Sequence, residues 1–206
     1  MAKKGRLLVI SGPSGVGKGT LCKILMDRND GIDYSVSMTT RKPRDGEVHG
    51  KNYFFTDTET FERHIDEDGF LEYACVYGNY YGTPRAHVME KLEAGRDVIL
   101  EIDTQGAMLI RKSYPDGVFI FILPPSLREL RKRIETRASD DQDVIERRLG
   151  EAVKEISEAA HYDYIVVNDD INDAAEKLTG IVTAEHAKVD EDIDEIIDRY
   201  KEEFGS

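Results

Sequence analysis

The sequence predicts an α/β fold in which helices flank a parallel β-sheet. Short apolar runs alternate with helical patterns along most of the 206 residues, and this alternation is typical of a parallel sheet covered on both faces. A glycine-rich stretch with one lysine separates the first apolar run from the first helical pattern. An aromatic-rich segment at 33–82 interrupts the alternation and predicts an insertion of mostly β structure. The length of the chain suits one such domain.

The glycine-rich stretch has the form of a phosphate-binding loop, or P-loop. Residues 6–11 predict a buried strand and residues 21–26 predict the start of an amphipathic helix, which is the flanking context that such a loop requires. The loop reads Gly12-Pro13-Ser14-Gly15-Val16-Gly17-Lys18-Gly19-Thr20. Its glycines let backbone N–H groups surround an anion, and Lys18 adds a cation for the β- and γ-phosphates. The sequence therefore predicts a fold of the P-loop NTPase type that binds a nucleoside triphosphate.

The loop departs from the usual pattern at one position. A Ser or Thr normally follows the lysine and ligates Mg²⁺, but this chain has Gly19 there. The first hydroxyl comes one residue later, at Thr20. Either Thr20 or a water molecule is expected to complete the inner shell of the metal.

The remaining elements follow from apolar periodicity. Within the insertion, strands are predicted at 51–56 and 70–77, with one short helix at 58–66. Core strands are predicted at 97–103, 118–123 and 164–168. Helices are predicted at 107–112, 144–160 and 172–187, and a further helix begins at Leu127 and ends before a polar break at 138–143.

The end of the chain, 188–206, predicts an acidic amphipathic helix. Its apolar residues recur at three- and four-residue spacing, and they are Val189, Ile193, Ile196, Ile197, Tyr200 and Phe204. Such a stripe can dock on its own domain or on a second subunit. The sequence leaves both alternatives open, and with them the choice between a monomer and a homo-oligomer.

Charge and cysteine content limit the class of partner. The net charge of −13 argues against general affinity for nucleic acid and against docking on an anionic membrane. No run approaches the ~20 apolar residues of a membrane span. Cys22 and Cys75 are too few for a disulfide framework or a metal cluster, which fits a reducing, cytoplasmic location. Cys22 falls in the apolar rhythm of the first helix, so we expect it in the core.

Four further segments carry distinctive motifs. They are Ser35-Val36-Ser37-Met38-Thr39-Thr40-Arg41-Lys42-Pro43-Arg44-Asp45-Gly46-Glu47, Gly50-Lys51-Asn52-Tyr53, Gly78-Asn79-Tyr80-Tyr81-Gly82-Thr83 and Glu101-Ile102-Asp103-Thr104-Gln105-Gly106. Together with the loop they resemble the guanylate kinase family of nucleoside monophosphate kinases, from residue 6 to about 187. The resemblance implies ATP-dependent phosphorylation of GMP or dGMP to GDP, with Mg²⁺ accompanying ATP. It also implies three regions. The P-loop core comprises 1–33, 93–125 and 161–187, the GMP-binding insertion comprises 34–92, and the helical lid comprises 126–160.

The resemblance implies two groups of residues around GMP. The phosphate of GMP is expected to contact Arg41, Arg44, Tyr53 and Tyr81. The guanine base is expected to contact Ser37, Glu72, Thr83 and Asp103. Arginine offers planar charged forks for phosphate oxygens, and a carboxylate can accept from both N1–H and N2–H₂ of guanine. Adenine lacks the N1 donor, so a buried carboxylate would discriminate against it by ~10⁴-fold. Taken without the resemblance, residues 41–47 also fit a solvated basic turn, and Glu72 also fits a surface acid on an edge strand.

Two acids follow the same core strand. Glu101 and Asp103 stand two residues apart in the predicted strand 97–103, so both side chains are expected on one face. At the carboxyl end of a strand beside the P-loop, that face meets the ligand crevice. We expect Glu101 to contact the water shell of Mg²⁺ and Asp103 to contact the acceptor. A pair of merely solvated acids is the alternative.

The arginines at 126–160 resemble the lid arginines of the family. Arg133 and Arg137 are one helical turn apart, and with Arg148 they are expected to reach the triphosphate. The alternative is a helix that carries Arg–Glu pairs, and Arg128, Arg131, Lys132 and Arg147 are assigned to that role. Asn168, which follows the last core strand, is a candidate contact for adenine.

The expected chemistry needs no general base, because the attacking phosphate oxygen is already anionic. Catalysis then depends on position and charge neutralisation by Lys18, Arg41 and the three lid arginines. Two rival functions remain at this point. One is a catalytically silent guanylate-kinase-like interaction module, and the other is a kinase of another nucleoside monophosphate.

Overall fold

The computed structural model describes residues 4–76, 78–137, 142–189 and 193–205. In chain order its elements are β1 (Leu7–Ser11), α1 (Lys18–Arg28), β2 (Ile32–Tyr34), β3 (Met38–Thr39), β4 (Phe54–Phe55), α2 (Thr58–Asp66), β5 (Phe70–Val76), β6 (Asn79–Pro84), α3 (Arg85–Glu93), β7 (Asp97–Glu101), α4 (Thr104–Ser113), β8 (Val118–Leu123), α5 (Leu127–Arg137), α6 (Gln142–Ser157), β9 (Tyr164–Val167), α7 (Ile171–His186) and α8 (Ile193–Gly205). A short 3₁₀ helix, Glu158–His161, follows α6.

The larger sheet has five strands in the order β2-β7-β1-β8-β9, and each adjacent pair is parallel. The central strand is β1, where Leu8 pairs with Ile99 on one side and with Val118 on the other. Every residue of β1 is buried, because neighbouring strands cover its edges and helices cover both faces. The predicted α/β fold with a parallel sheet is confirmed.

Two apolar cores lie on opposite faces of this sheet. Leu8 and Ile10 pack with residues of α1 and α7, whereas Leu7 and Val9 pack with residues of α3 and α4. The division follows from the alternation of strand side chains between the two faces. Cys22 lies in the first core, as expected, with 1% of its surface exposed. Both cores hold the carboxyl end of β1 rigidly, and that end leads directly into the glycine-rich loop.

The aromatic-rich segment forms a second, smaller sheet of four strands in the order β4-β3-β6-β5. Its strand β6 runs antiparallel to β3 and β5, and β3 is parallel to β4. Phe61 of α2 is fully buried against this sheet. Its ring stacks on Phe70 at 4.4 Å and on Tyr80 at 5.2 Å, measured between ring centroids. The mostly β insertion predicted from the aromatic residues is therefore confirmed.

Helices α5 and α6 pack on each other through a small apolar cluster that includes Leu130, Ile134, Ile145 and Ala152. On the surface, Arg131 of α5 lies 2.8 Å from Glu146 of α6. Lys132 lies 3.3 Å from Glu129 within α5. The assignment of Arg131 and Lys132 to ion pairs with acidic residues is thus confirmed.

The predicted C-terminal helix is present as α8, but its apolar residues are exposed. Ile196 and Ile197 each retain 41% of their surface, and Phe204 retains 95%. In the described part of the chain, no helix is both long and apolar enough to cross a membrane.

The prediction that Glu101 and Asp103 share one strand face is wrong. Strand β7 ends at Glu101, and Asp103 is the N-cap of α4. Its Oδ1 accepts a hydrogen bond of 2.7 Å from the backbone N–H of Gly106. Aspartate is a preferred N-cap because its side chain satisfies a free amide of the first turn, and this bond turns the chain out of the strand.

The sequence placed several other boundaries correctly and some incorrectly. The predicted helix 58–66 and strand 118–123 match α2 and β8. The predicted strand 51–56 is wrong except for Phe54–Phe55, because residues 48–52 form a turn closed by a bond of 2.9 Å from Val48 N–H to Asn52 Oδ1. Strands β2, β3 and β6 and helix α3 were not predicted. The predicted break at 138–143 is helical from Gln142, and 138–141 lie outside the described residues.

Candidate functional site

The glycine-rich loop joins β1 to α1 through a backbone that requires glycine. Gly12 has φ 146° and Gly17 has φ 98°, and L-residues rarely adopt either value. Space is also limiting, since a Cβ added at Gly12 would lie 2.3 Å from the carbonyl oxygen of Ile122. Gly17 is the N-cap of α1 without a side-chain cap, so backbone N–H groups of the first turn are available to an anion.

Lys18 lies over this loop as the first residue of α1. Its Nζ donates to the carbonyl oxygen of Gly12 at 2.5 Å and to that of Pro13 at 3.3 Å. Burial lowers the pKa of Lys18, and the nearby carboxylate of Glu101 opposes that shift. The arrangement places a poorly solvated cation beside amides that already favour negative charge, so the local field suits a polyphosphate.

An open cleft of about 960 Å³ adjoins the loop. Loop residues line one side, together with Thr20 and Glu101, and four side chains of α5 line the other: Glu129, Lys132, Arg133 and Thr136. Thr20 is exposed to the cleft. The described residues contain no cluster of three His, Cys, Asp or Glu side chains with the geometry of a metal site. Thr20 and Glu101 are the oxygen donors of this cleft that the sequence proposed for a metal.

The side chain of Asn168 is hydrogen-bonded to the backbone of the P-loop. Only 4% of its surface is exposed, and its Nδ2 donates to the carbonyl oxygen of Val16 at 2.7 Å. Arg133 in turn donates from one guanidinium nitrogen to the carbonyl oxygen of Asn168 at 2.9 Å. The structure therefore brings Arg133 and Asn168 to the P-loop, with the Asn168 side chain bonded to the loop itself. Its predicted contact with adenine stays a prediction.

The other two predicted lid arginines, Arg137 and Arg148, lie on α5 and α6. Arg137 ends α5, and its side chain lies outside the described residues. Arg148 is half-buried on α6. Their contact with the triphosphate stays a prediction.

The predicted phosphate-binding residues of the insertion lie together. Arg41 is 2.8 Å from Glu47 and stands over the ring of Tyr53, 5.4 Å from its centroid. The rings of Tyr53 and Tyr81 meet edge to face at 5.9 Å. Arg44 is exposed, and its backbone N–H donates to Glu47 at 2.7 Å. A stable surface turn would also show the ion pair of Arg41 with Glu47. This geometry therefore fits both a phosphate-binding site and a solvated basic turn.

The predicted base-binding residues surround a desolvated carboxylate. Glu72 lies on edge strand β5, and its Oε1 accepts 2.7 Å from the hydroxyl of the fully buried Thr83 on β6. Burial raises the pKa of Glu72, and the charge of Asp103 adds to the shift. A Cβ added at Gly106 would lie 3.4 Å from Glu72 Oε2 and 3.5 Å from Asp103 Oδ1. Both carboxylates therefore flank the amino end of α4, and Glu72 is not a freely solvated surface acid.

A small cavity of about 60 Å³ lies between the end of β7 and residues of the insertion. Ser37, Tyr53 and Thr83 line it from the smaller sheet, and Glu101 lines it from the end of β7. Glu101 also lines the large cleft beside the loop. The carboxylate of Glu101 thus stands at the boundary between the P-loop and the predicted acceptor residues.

Three further residues of this region were missed by sequence reasoning. Tyr34 donates from its hydroxyl to Glu101 Oε2 at 3.0 Å. Ser35 is 5% exposed, and its buried Oγ has no hydrogen-bond partner among the described residues. Glu155 of α6 is half-buried, burial raises its pKa, and Lys18 opposes the shift. The unpredicted strand β2 explains why Tyr34 was missed. Ser35 begins one of the quoted motifs, but no role was predicted for it, and no sequence signal distinguishes Glu155 from its acidic neighbours.

The parallel sheet and the loop at the end of its central strand define a P-loop α/β protein. A family model described as "Guanylate kinase" matches residues 4–185, which is most of the chain. The chain belongs to the guanylate kinase family.

Known relatives agree with this assignment along nearly the whole chain. The guanylate kinase of Clostridioides difficile is 53% identical over 201 residues, which are 98% of each chain. That of Latilactobacillus sakei is 50% identical over 206 residues, the full length of both. A crystal structure of guanylate kinase from Anaplasma phagocytophilum is similar with a TM-score of 0.73 and 39% identity, covering 92% of this chain and 90% of that one.

Proposed function

We propose that this protein transfers the γ-phosphoryl group of ATP to GMP and releases ADP and GDP. Family membership and full-length relatives named guanylate kinase support the reaction. The observation that carries the proposal is the half-buried carboxylate of Glu72, which accepts a hydrogen bond from Thr83, while Thr83 and Glu101 line the same small cavity. A phosphate-binding loop and a base-recognising carboxylate are the two parts that the reaction requires.

The donor nucleotide is assigned to the P-loop cleft. The amides of Gly12–Thr20 and the Nζ of Lys18 bind the β- and γ-phosphates, and Arg133 approaches them from α5. In the structure Arg133 is bonded to the backbone of Asn168, directly below the loop. Arg133 Nε also lies 3.7 Å from Glu129, and we propose that its guanidinium exchanges these partners for phosphate oxygens. Arg137 and Arg148 are proposed to join it when the helices at 126–160 close over both nucleotides.

The acceptor GMP is assigned to the smaller sheet. Arg41 and Arg44 bind its phosphate, with the hydroxyls of Tyr53 and Tyr81 completing the oxygen contacts. Glu47, which now pairs with Arg41, would be exchanged for the phosphate dianion. Ser37 and Thr83 serve the guanine O6 side, and Glu72 with Asp103 serves the N1–H and N2–H₂ side. Among the described residues, Glu72 Oε2 has no hydrogen-bond partner, which supports this orientation of the base.

The reaction itself requires position and charge neutralisation. GMP supplies an anionic oxygen as nucleophile, so no side chain has to remove a proton. Lys18, Arg41 and Arg133 surround the path of the transferred group and offset the charge that spreads over its oxygens. Closure of the helical region excludes water, which would otherwise compete with GMP for the phosphoryl group.

Magnesium is proposed as the companion of ATP, and the residues of the cleft fit it. The Thr20 hydroxyl and the Glu101 carboxylate are oxygen donors, the type that Mg²⁺ prefers, and two donors suit an ion that keeps several of its waters. Without a side chain at Gly19, the Glu101 carboxylate comes close to the loop, 3.4 Å from the position of a Cβ. Bound Mg²⁺ supplies charge neutralisation at the β- and γ-phosphates.

The test is a coupled assay of ADP release with GMP, dGMP, AMP, CMP and UMP in turn. We expect turnover with GMP to exceed that with AMP by at least about 100-fold, because adenine leaves the Glu72 carboxylate unpaired. No ADP release with any monophosphate would refute a kinase and favour an interaction module. Faster turnover with AMP, CMP or UMP would refute the assignment of a guanine monophosphate. The complete loop from Gly12 to Lys18 already argues against a silent module.

A further inference from the structure

Tyr34 lies beside the reaction path, although it belongs to none of the motifs that carry the family resemblance. It is the last residue of β2, the strand that pairs with β7, and Tyr34 is in register with Ile99. Its hydroxyl donates to Oε2 of Glu101, two residues further along β7, at 3.0 Å. Among the described residues, no other side chain is hydrogen-bonded to this carboxylate. Adjacent parallel strands thus fix the two partners from separate backbones.

The bonded oxygen is the one that approaches the P-loop. A Cβ at Gly19 would lie 3.4 Å from Oε2 of Glu101 and 3.7 Å from Oε1. Glu101 is also the residue that lines both the large cleft and the small cavity next to Ser37 and Thr83. The direction of its carboxylate therefore decides whether a negative charge faces the donor triphosphate with its metal, or the incoming monophosphate.

Without a partner, this carboxylate would sample several rotamers. A glutamate has three side-chain torsions, and restricting them costs entropy. Rotation toward the small cavity would bring its charge beside Tyr53, which lines that cavity and is a proposed contact of the GMP phosphate, and like charges repel. A donor fixed on a neighbouring strand removes these alternatives before substrate arrives, which is how a preorganised site gains rate.

We propose that Tyr34 is a positioning residue for phosphoryl transfer, whose hydroxyl holds the Glu101 carboxylate against Gly19 and away from the acceptor phosphate. The inference rests on the proposed function and adds a residue to it. A phenol is protonated at neutral pH, so the hydroxyl of Tyr34 is available as a hydrogen-bond donor. Tyr34 is 37% exposed as a whole residue.

The experiment is a double-mutant cycle with Tyr34→Phe, Glu101→Gln and the double variant. Phenylalanine keeps the ring, so the fold is preserved and thermal melting checks this. We expect Tyr34→Phe to lower kcat about tenfold, the effect of losing a hydrogen bond to a charged group, and to change the KM for GMP less than about twofold. In the Glu101→Gln background the same change should lower kcat less than about twofold, because Tyr34 acts through Glu101.

A matched control is present elsewhere in the chain. Tyr164 of β9 donates from its hydroxyl to Glu185 of α7, so Tyr164→Phe removes the same type of bond outside the site. That variant should retain wild-type kcat. Equal losses of kcat in Tyr34→Phe and Tyr164→Phe would overturn the proposal, as would equal losses from Tyr34→Phe in both Glu101 backgrounds. A loss confined to the KM for GMP would overturn it too, because Tyr34 would then be a direct contact of the acceptor.

Equilibrium binding separates this inference from the proposed function. Calorimetry of ATP with and without Mg²⁺ requires no turnover. We expect Tyr34→Phe to reduce the gain in ATP affinity that Mg²⁺ produces by about threefold, with the affinity for metal-free ATP changed less than about twofold. An unchanged gain would overturn the positioning role even in an active kinase. If wild-type protein failed to phosphorylate GMP, the proposed function would fail, and the binding measurement would still decide the role of Tyr34.

Discussion

Glu72→Gln tests the account of base recognition most directly. Thr83 already occupies Oε1 of this carboxylate, so the oxygen that remains for guanine is Oε2. In the variant an amide replaces the carboxylate, and its NH₂ group takes the place of one accepting oxygen. That group must face either the Thr83 hydroxyl or the donor edge of guanine. Both are donors in the wild-type arrangement, so one hydrogen bond is lost and two donors are forced together.

The expected size of the effect follows from the burial of this site. A hydrogen bond to a charged group contributes about 1.5–3 kcal/mol, and an unmatched buried donor adds a penalty of about 1–3 kcal/mol. Rotation of the amide relieves part of this penalty. We therefore expect a net loss of about 2–4 kcal/mol in kcat/KM for GMP. Since 1.36 kcal/mol is a factor of ten, this is about 30- to 900-fold. Activity with AMP should fall far less, because adenine does not use the carboxylate pair.

Glu72→Gln should lower the activity with GMP but raise the stability of the free protein near neutral pH. Burial raises the pKa of Glu72 in the folded state, so folding favours the protonated carboxyl. The stability that this preference contributes is fully present at acidic pH, below the unfolded pKa, and is lost as pH rises through the folded pKa. Near neutral pH the ionised, buried carboxylate is therefore unfavourable, and neutral glutamine removes that cost. We expect Glu72→Gln to melt at a higher temperature than wild type near neutral pH, with the difference shrinking under acidic conditions.

The measurements are ADP release with GMP and with AMP, and thermal melting as a function of pH. Glu62→Gln on the exposed surface of α2 is the matched control, and it should leave both activities unchanged. The informative quantity is the ratio of kcat/KM for the two monophosphates. An equal loss of activity with GMP and AMP would show that Glu72 is structural, and the account of guanine recognition would be wrong.

Two further predictions concern the loop and the C-terminal helix. Lys18→Ala should lower kcat below about a tenth of wild type while GMP binding, measured by calorimetry, is retained, because the residues proposed to bind GMP lie outside the loop; a kcat above that fraction would contradict the role of the loop lysine. Truncation after residue 187 should leave kcat unchanged and shift the melting temperature by no more than about 2 °C, because the apolar side chains of α8 are largely exposed. A lower melting temperature, or a changed mass by light scattering, would show that these side chains are covered in solution.

The sequence predicted the sheet well because its core strands are long, apolar and bounded by clear breaks. The short strands carried no comparable signal. Two-residue strands such as β3 and β4 cannot show an alternating pattern. In the structure β3 pairs with β6, and β4 pairs with β3 and places Phe54 and Phe55 against neighbouring rings. Tyr34 was overlooked for the same reason, since its role depends on the pairing of β2 with β7. Contacts between distant strands are set by the whole fold, and local periodicity does not record them.

The local geometry predicted for Asp103 was wrong. This residue was placed beside Glu101 on one strand face, yet it caps α4 and approaches Glu72 instead. This position has a physical advantage for an acceptor site with two carboxylates. The amino end of α4 carries free amides and the positive end of the helix dipole, which favour nearby negative charge. The cap bond to Gly106 uses one oxygen of Asp103, and we propose that the second oxygen and Glu72 Oε2 accept the donors of guanine. A strand-borne acid at that position would have brought its charge without the helix terminus that offsets it.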